Sequence, residues 1–242
     1  MIDSLLLAAV RISTFNGRQH RTNATGFFFR REGRLFLVTS RHVMSDAAIG
    51  HQPDRIEITI HTDANNMAAS VGYAIPLYNG PHREWRQGVD RAGDVDVAVV
   101  EIDQEALPPT AVYAAFTPNH LSTPMGQAEI GSPLLVVGYP LGFQDTLHQM
   151  PVARHATIAS SFGLRFQGMG YFLTDARTHR GLSGAPVVMR LPQQYAPYDN
   201  LPWMLLGIHS ARLEVGTREI DVDEALALNV AWYADILLSL TN

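Results

Sequence analysis

Gly181-Leu182-Ser183-Gly184-Ala185-Pro186 is the stretch that decides how the rest of the 242-residue chain is read. Glycines on both sides of the serine let the backbone turn its N–H groups inward and pack closely behind the hydroxyl. A serine hydroxyl is a weak nucleophile at neutral pH. It needs an imidazole to take its proton and a carboxylate to hold that imidazole in one tautomer. Upstream, Thr39-Ser40-Arg41-His42-Val43 offers the imidazole, and Asp94-Val95-Asp96-Val97-Ala98-Val99-Val100 offers the carboxylate. The three fragments run in the order His, Asp, Ser. Asp94 and Asp96 lie on one strand face, but the apolar run begins directly after Asp96, which selects Asp96.

Composition narrows the chemistry. With 46% hydrophobic and 17% charged residues, the chain can bury a sizeable core. A net charge of -5 gives no basic footprint for nucleic acid. All 18 basic residues are arginine, which excludes Schiff-base chemistry, a Ser-Lys dyad and a P-loop lysine. The absence of cysteine excludes disulfides, thiolate catalysis and cysteine zinc sites, and is compatible with a reducing compartment. No His-Glu-x-x-His run occurs and the 10 histidines lack ligand spacing, so no metal or cofactor is expected. The apolar stretch Leu5–Val10 is too short to span a membrane and lacks a positive flank, so it reads as a first strand. A soluble, cytoplasmic protein with no membrane partner is the expectation.

Strand signals dominate. Arg55–His61 alternates with period two, and Gly26–Arg30 and Arg34–Thr39 flank Arg31-Glu32-Gly33 as in a hairpin. Val97–Ile102, Leu134–Gly138 and Trp203–Ile208 read as buried strands. Pro76–Gly93 reads as a long surface loop, with Arg83, Trp85 and Arg86 forming a solvated lid. Residues 116–131 read as a crossover linker between two strand-rich halves. Apolar residues from Leu226 to Leu240 recur at helical spacing, which predicts an amphipathic helix over 225–240. Together these signals indicate an all-β barrel or sandwich.

The fragments around His42, Asp96 and Ser183 resemble the trypsin-like serine peptidases of the chymotrypsin fold, in particular the bacterial HtrA-type and glutamyl-endopeptidase branches. The likeness runs from about Leu5 to the final helix. Gly138-Tyr139-Pro140-Leu141-Gly142 and Thr174-Asp175-Ala176 resemble HtrA-type segments. The resemblance implies two six-stranded antiparallel β-barrels with a C-terminal α-helix. Residues 1–115 would form the barrel carrying His and Asp, 116–131 the crossover, and 132–242 the barrel carrying Ser and the helix.

The same resemblance implies site roles. His42, Asp96 and Ser183 would form the triad, and the Gly181 and Ser183 N–H groups the oxyanion hole. Gly207-Ile208-His209-Ser210 is similar to the strand lining the specificity pocket, with Ser210 bonded to the aspartate and Ser210–Arg212 pairing with substrate. Thr178 and His209, with Arg177 on the pocket floor, would favour Glu, Asp or Gln before the scissile bond; otherwise Arg177 faces solvent and His209 is a satisfied strand residue. Three residues depart from the pattern: Arg41 replaces an alanine, Leu182 an acidic residue and Arg212 a glycine. The implied function is endopeptidase hydrolysis of polypeptides through an acyl-enzyme. Two alternatives stay open at this point. One is a partner-binding module whose pocket Arg212 blocks. The other is a latent enzyme whose 176–182 loop is ordered by an activating protein.

Overall fold

The computed structural model describes residues 2–121, 128–191, 200–213 and 227–242, and strands carry most of their regular structure. In chain order these are β1 (Ala9–Asn16), β2 (Gln19–Arg31), β3 (Arg34–Thr39), β4 (Arg55–His61), β5 (Ser70–Pro76), β6 (Tyr78–Asn79), β7 (His82–Arg83), β8 (Trp85–Asp90) and β9 (Gly93–Ile102). The second half supplies β10 (Pro133–Gly138), β11 (Val152–Thr157), β12 (Tyr171–Thr174), β13 (Pro186–Arg190), β14 (Trp203–Arg212) and β15 (Asn229–Tyr233). The first half forms an antiparallel sheet ordered β5-β4-β1-β2-β3-β9-β8, and the second one ordered β11-β10-β13-β14-β15-β12. Each sheet curls, giving the double barrel of the chymotrypsin type. The first sheet carries seven strands because β8 extends it beyond β9.

Period two along the strands divides the side chains between separate cores. Phe28, Leu37, Ile56, Ile58, Ala98 and Val100 fill the first barrel. Their neighbours Phe27, Phe29, Val38, Val97 and Val99 point the other way, and pack against Val137, Ile208, Trp232 and Leu237 of the second half. Phe172, Val187, Met204 and Leu206 fill the second barrel. The runs Gly26–Phe29 and Val97–Val100 are therefore apolar on both faces because each face meets a core. Burial of that size dominates the stability of the fold. The β2–β3 hairpin turns on Glu32 and Gly33, both at positive φ (51° and 80°), as a two-residue turn matching strand twist requires.

Four segments differ from the sequence reading. Ser4–Ala8 is a short helix, α1, because the Asp3 carboxylate accepts from the Leu5 N–H at 3.0 Å and caps it; the strand starts at Ala9. Within Pro76–Gly93, Trp85–Asp90 is an edge strand rather than loop, and Trp85 is buried under the Arg83 guanidinium, 4.4 Å from the ring centroid. Asn229–Tyr233 is a strand paired to both β12 and β14. The C-terminal helix, after a 3-10 turn at Ala234–Ile236, is therefore confined to Leu237–Leu240; residues 225 and 226 lie outside the described residues. The 116–131 crossover is described at its two ends only, with a 3-10 turn over Pro118–Leu121.

Candidate active site

His42 sits on a single helical turn, α2 (Arg41–Met44), immediately after β3. Its ring Nδ1 lies 2.7 Å from Asp96 Oδ2, and its backbone N–H donates to Asp96 Oδ1 at 2.9 Å. Asp96 thus fixes both the ring and the main chain of one residue. The Ser210 hydroxyl donates to the same Oδ2 at 2.5 Å, and Arg41 Nε approaches Oδ1 at 3.6 Å. With Nδ1–H directed at a carboxylate, Nε2 is the nitrogen left to accept a proton.

Irregularities in two ladders bring these groups together. Gln87 pairs with Ala98 and Gly88 with Val95, so Asp96 and Val97 have no partner on β8. A bulge of this kind re-aims a strand side chain, and here it turns Asp96 toward α2. Asp94, on the regular side of the bulge opposite Val89, is exposed. On β14, His209 pairs with Ala231 and Arg212 with Asn229, leaving an extra residue around Ser210 and Ala211. That irregularity lies where the Ser210 hydroxyl reaches Asp96.

Burial of Asp96 pushes its carboxyl up, but the hydrogen bond and charge of His42, the Ser210 hydroxyl and the His42 amide outweigh it. The carboxyl lies below the ordinary carboxylate range. It is ionised at neutral pH, as an orienting group for an imidazole must be.

Ser183 faces a cleft of about 730 Å³ that it shares with His42, Gly181, Arg180 and Leu141. Among the described residues, no hydrogen bond joins the Ser183 hydroxyl to the His42 ring. Such contacts are often loose until substrate binds. The loop before Ser183 is firmly braced. Gly181 has φ +96°, and a Cβ there would lie 2.4 Å from the Tyr139 carbonyl oxygen. Leu141 N–H donates to Arg180 O at 2.5 Å and Thr25 N–H to Ser183 O at 3.0 Å. The buried Thr25 hydroxyl donates to Gly181 O at 2.7 Å and accepts from Tyr139 N–H at 3.1 Å. Among the described residues, the Gly181 and Ser183 N–H groups have no protein acceptor. Leu182, in place of an acidic residue, is fully buried in the second core.

Next to this centre, His209 and Thr178 are buried while Arg177 is exposed. The His209 carbonyl accepts from Gly184 N–H at 2.7 Å and from Ser40 Oγ at 3.3 Å. The Thr178 hydroxyl donates to the side-chain oxygen of Asn229. Asn229 is wholly buried, and its amide donates to Ala176 O at 2.6 Å. The Arg212 backbone continues β14, but its side chain lies outside the described residues.

Sequence reasoning missed Thr25, Asn229 and the contribution of Arg41. One signal was present: Thr25 is polar within the run Ala24–Phe29, and a buried hydroxyl must find partners.

The sequence matches the model of the trypsin-like peptidase domain over residues 24–191, which include His42, Asp96 and Ser183. No curated protein sequence matches it. Among solved structures, the fold resembles a serine endoprotease from Yersinia pestis, at TM-score 0.54 and 17% identity over 98% of this chain. The chain spans 62% of that structure's length. It also resembles a protease from M. tuberculosis: the active form at TM-score 0.51 and 16% identity, and the inactive form at 0.51 and 14%. Those two matches cover 98% of this chain, and 80% and 88% of theirs. At these identities the structural likeness speaks to the fold, and the sequence match to the family: the chain belongs to the trypsin-like peptidase domain family.

Proposed function

We propose that the protein hydrolyses peptide bonds through a Ser183–His42–Asp96 triad and an acyl-enzyme. The observation that carries this reading is Asp96, which binds the His42 ring, the His42 main chain and the Ser210 hydroxyl at once, beside a cleft holding Ser183. His42 Nε2 takes the Ser183 proton as Oγ attacks the carbonyl carbon. The Gly181 and Ser183 N–H groups hold the resulting oxyanion, worth about 3–4 kcal/mol for each donor. His42 then gives the proton to the leaving amine. It next activates a water that attacks the ester and frees Ser183. No step requires a metal or cofactor. The bracing of 180–183 by Leu141 and Thr25 supports a centre competent as made, without an activating partner.

The acyl side of the substrate would pair with the β14 backbone at Ser210–Arg212 as an added strand. Buried His209 supports a preference for Glu, Asp or Gln before the scissile bond, through charge-assisted hydrogen bonds, while the Thr178 hydroxyl, whose proton goes to Asn229, braces the wall beside it. Arg177, being exposed, would act at most at the pocket mouth. Substrates are polypeptides, and a cytoplasmic location is the reading consistent with the cysteine-free composition.

A fluorophosphonate probe tests the proposal. It should label Ser183 in the wild type and leave Ser183→Ala unlabelled, with turnover falling on the order of a million-fold. A wild-type protein that neither reacts with the probe nor cleaves a diverse peptide library would favour a binding module.

A further inference from the structure

The cleft beside Ser183 contains none of the residues assigned to the acyl side. Its lining runs through Thr22–Ala24, Ile49, His51, Leu141 and Arg180, and omits Thr178, His209 and Ser210. It therefore starts at the reacting centre, with His42, Gly181 and Ser183 in its wall, and extends to where the chain on the leaving-amine side must run. At about 730 Å³ it falls within the ~300–1,000 Å³ of ordinary ligand clefts.

Two large aliphatic side chains in this cleft stand in solvent. Ile49 is 77% exposed and Leu141 71% exposed. Neither sits on a loose loop. Ile49 ends a 3-10 turn that the Asp46 carboxylate caps at Ala48 N–H, closed by paired Asp46–His51 backbone bonds of 2.7 and 2.8 Å. His51 Nε2, 3.1 Å from Val43 O, ties that turn to α2. Leu141 holds a left-handed backbone (φ 54°), an unfavourable place for leucine, and its N–H is bonded to Arg180 O. Held, exposed apolar groups in a concave site mark a binding surface. Strain of this kind gathers at such sites. The lining includes Arg180, His42 and His51 and no carboxylate, so it offers no opposite charge to a basic side chain.

We propose that Ile49 and Leu141 form a leaving-group subsite that selects substrates with a bulky apolar residue, and against Lys or Arg, just after the scissile bond. The proposal rests on the serine-peptidase reading and deepens it by naming half of the cleavage sequence.

The test uses internally quenched peptides with a fixed acyl half, varied at the first two positions of the leaving half. Leu, Ile, Met or Phe at one of these positions should raise kcat/KM about tenfold over Gly and more over Lys, the low end of hydrophobic-pocket discrimination. That ratio should shrink toward one in Ile49→Ser and in Leu141→Gly, the latter chosen because glycine accepts the left-handed backbone. The partition of the acyl-enzyme between water and added Leu-amide or Gly-amide reads the same subsite independently of the acyl side. A flat profile with efficient turnover, or a preference that survives both variants, overturns the subsite and leaves the peptidase reading standing. Absence of turnover together with absence of Ser183 labelling removes both.

Discussion

Replacing Thr25 with valine should disable the centre without touching any member of the triad. The exchange keeps the shape and removes the hydroxyl. Two buried groups then lose their partner: the Gly181 carbonyl (2.7 Å) and the Tyr139 N–H (3.1 Å). Water cannot replace the hydroxyl, because Thr25 is fully buried and a Cβ on Gly138 would lie only 2.4 Å from its oxygen. At about 1–3 kcal/mol for each of the two stranded groups, stability should fall by about 2–6 kcal/mol. For a chain of this size that lowers Tm by roughly 4–24 °C. The folded fraction should also lose rate, because a freed Gly181 carbonyl loosens the Gly181–Leu182 peptide that links the two oxyanion donors, the Gly181 and Ser183 N–H groups. One such donor is worth about 10²–10³ in kcat. KM should stay close to the wild-type value, since ground-state contacts are kept. Thr25→Ser retains both hydrogen bonds, so it should restore kcat and most of the Tm. The assay is steady-state cleavage of a chromogenic peptide alongside thermal melting, with the rate of fluorophosphonate labelling as a third readout. A folded Thr25→Val protein with kcat within about threefold of wild type would refute the reasoning.

Three further outcomes follow from the geometry. Gly184 has φ +85°, and a Cβ would lie 2.2 Å from Thr39 Oγ1 and 2.3 Å from Thr25 O; Gly184→Ala should cost more than about 3 kcal/mol in urea unfolding. Asp96 has its carboxyl below the ordinary range, so its contribution to stability is present at neutral pH and lost as pH falls through the folded value. Urea midpoints should drop steeply below about pH 4 in the wild type and less so in Asp96→Asn. Leu182→Asp places a charge in the fully buried wall of the second core and should destabilise the protein by several kcal/mol, read by the same unfolding curves.

The chemistry-bearing residues were legible because each sits in a short local motif. The strands around them carry strong signals too, since Phe27–Phe29 and Val97–Val100 are apolar on both faces. Segments whose structure depends on distant partners were not legible. Trp85–Asp90 contains three polar side chains and a glycine, and is a strand only because β9 pairs with it. Asn229–Tyr233 mimics a helical stripe because it is largely covered, with Asn229 as a buried polar group among β12, β14 and the Thr178 loop. Leu5–Val10 hid a helix because its apolar run is uniform, and the Asp3 cap decides the first turn. Thr25 was invisible as a bracing residue, since its two partners lie more than a hundred positions away.

The odd-and-even division of β2, β3 and β9 has a consequence for cutting the chain. Phe27, Phe29, Val38, Val97 and Val99 belong to a wall shared with Val137, Ile208 and Trp232. Severed at the crossover, each fragment would present that wall to water as a broad greasy surface. Co-produced fragments should find each other again along it, and reassemble the cleft as a split reporter does.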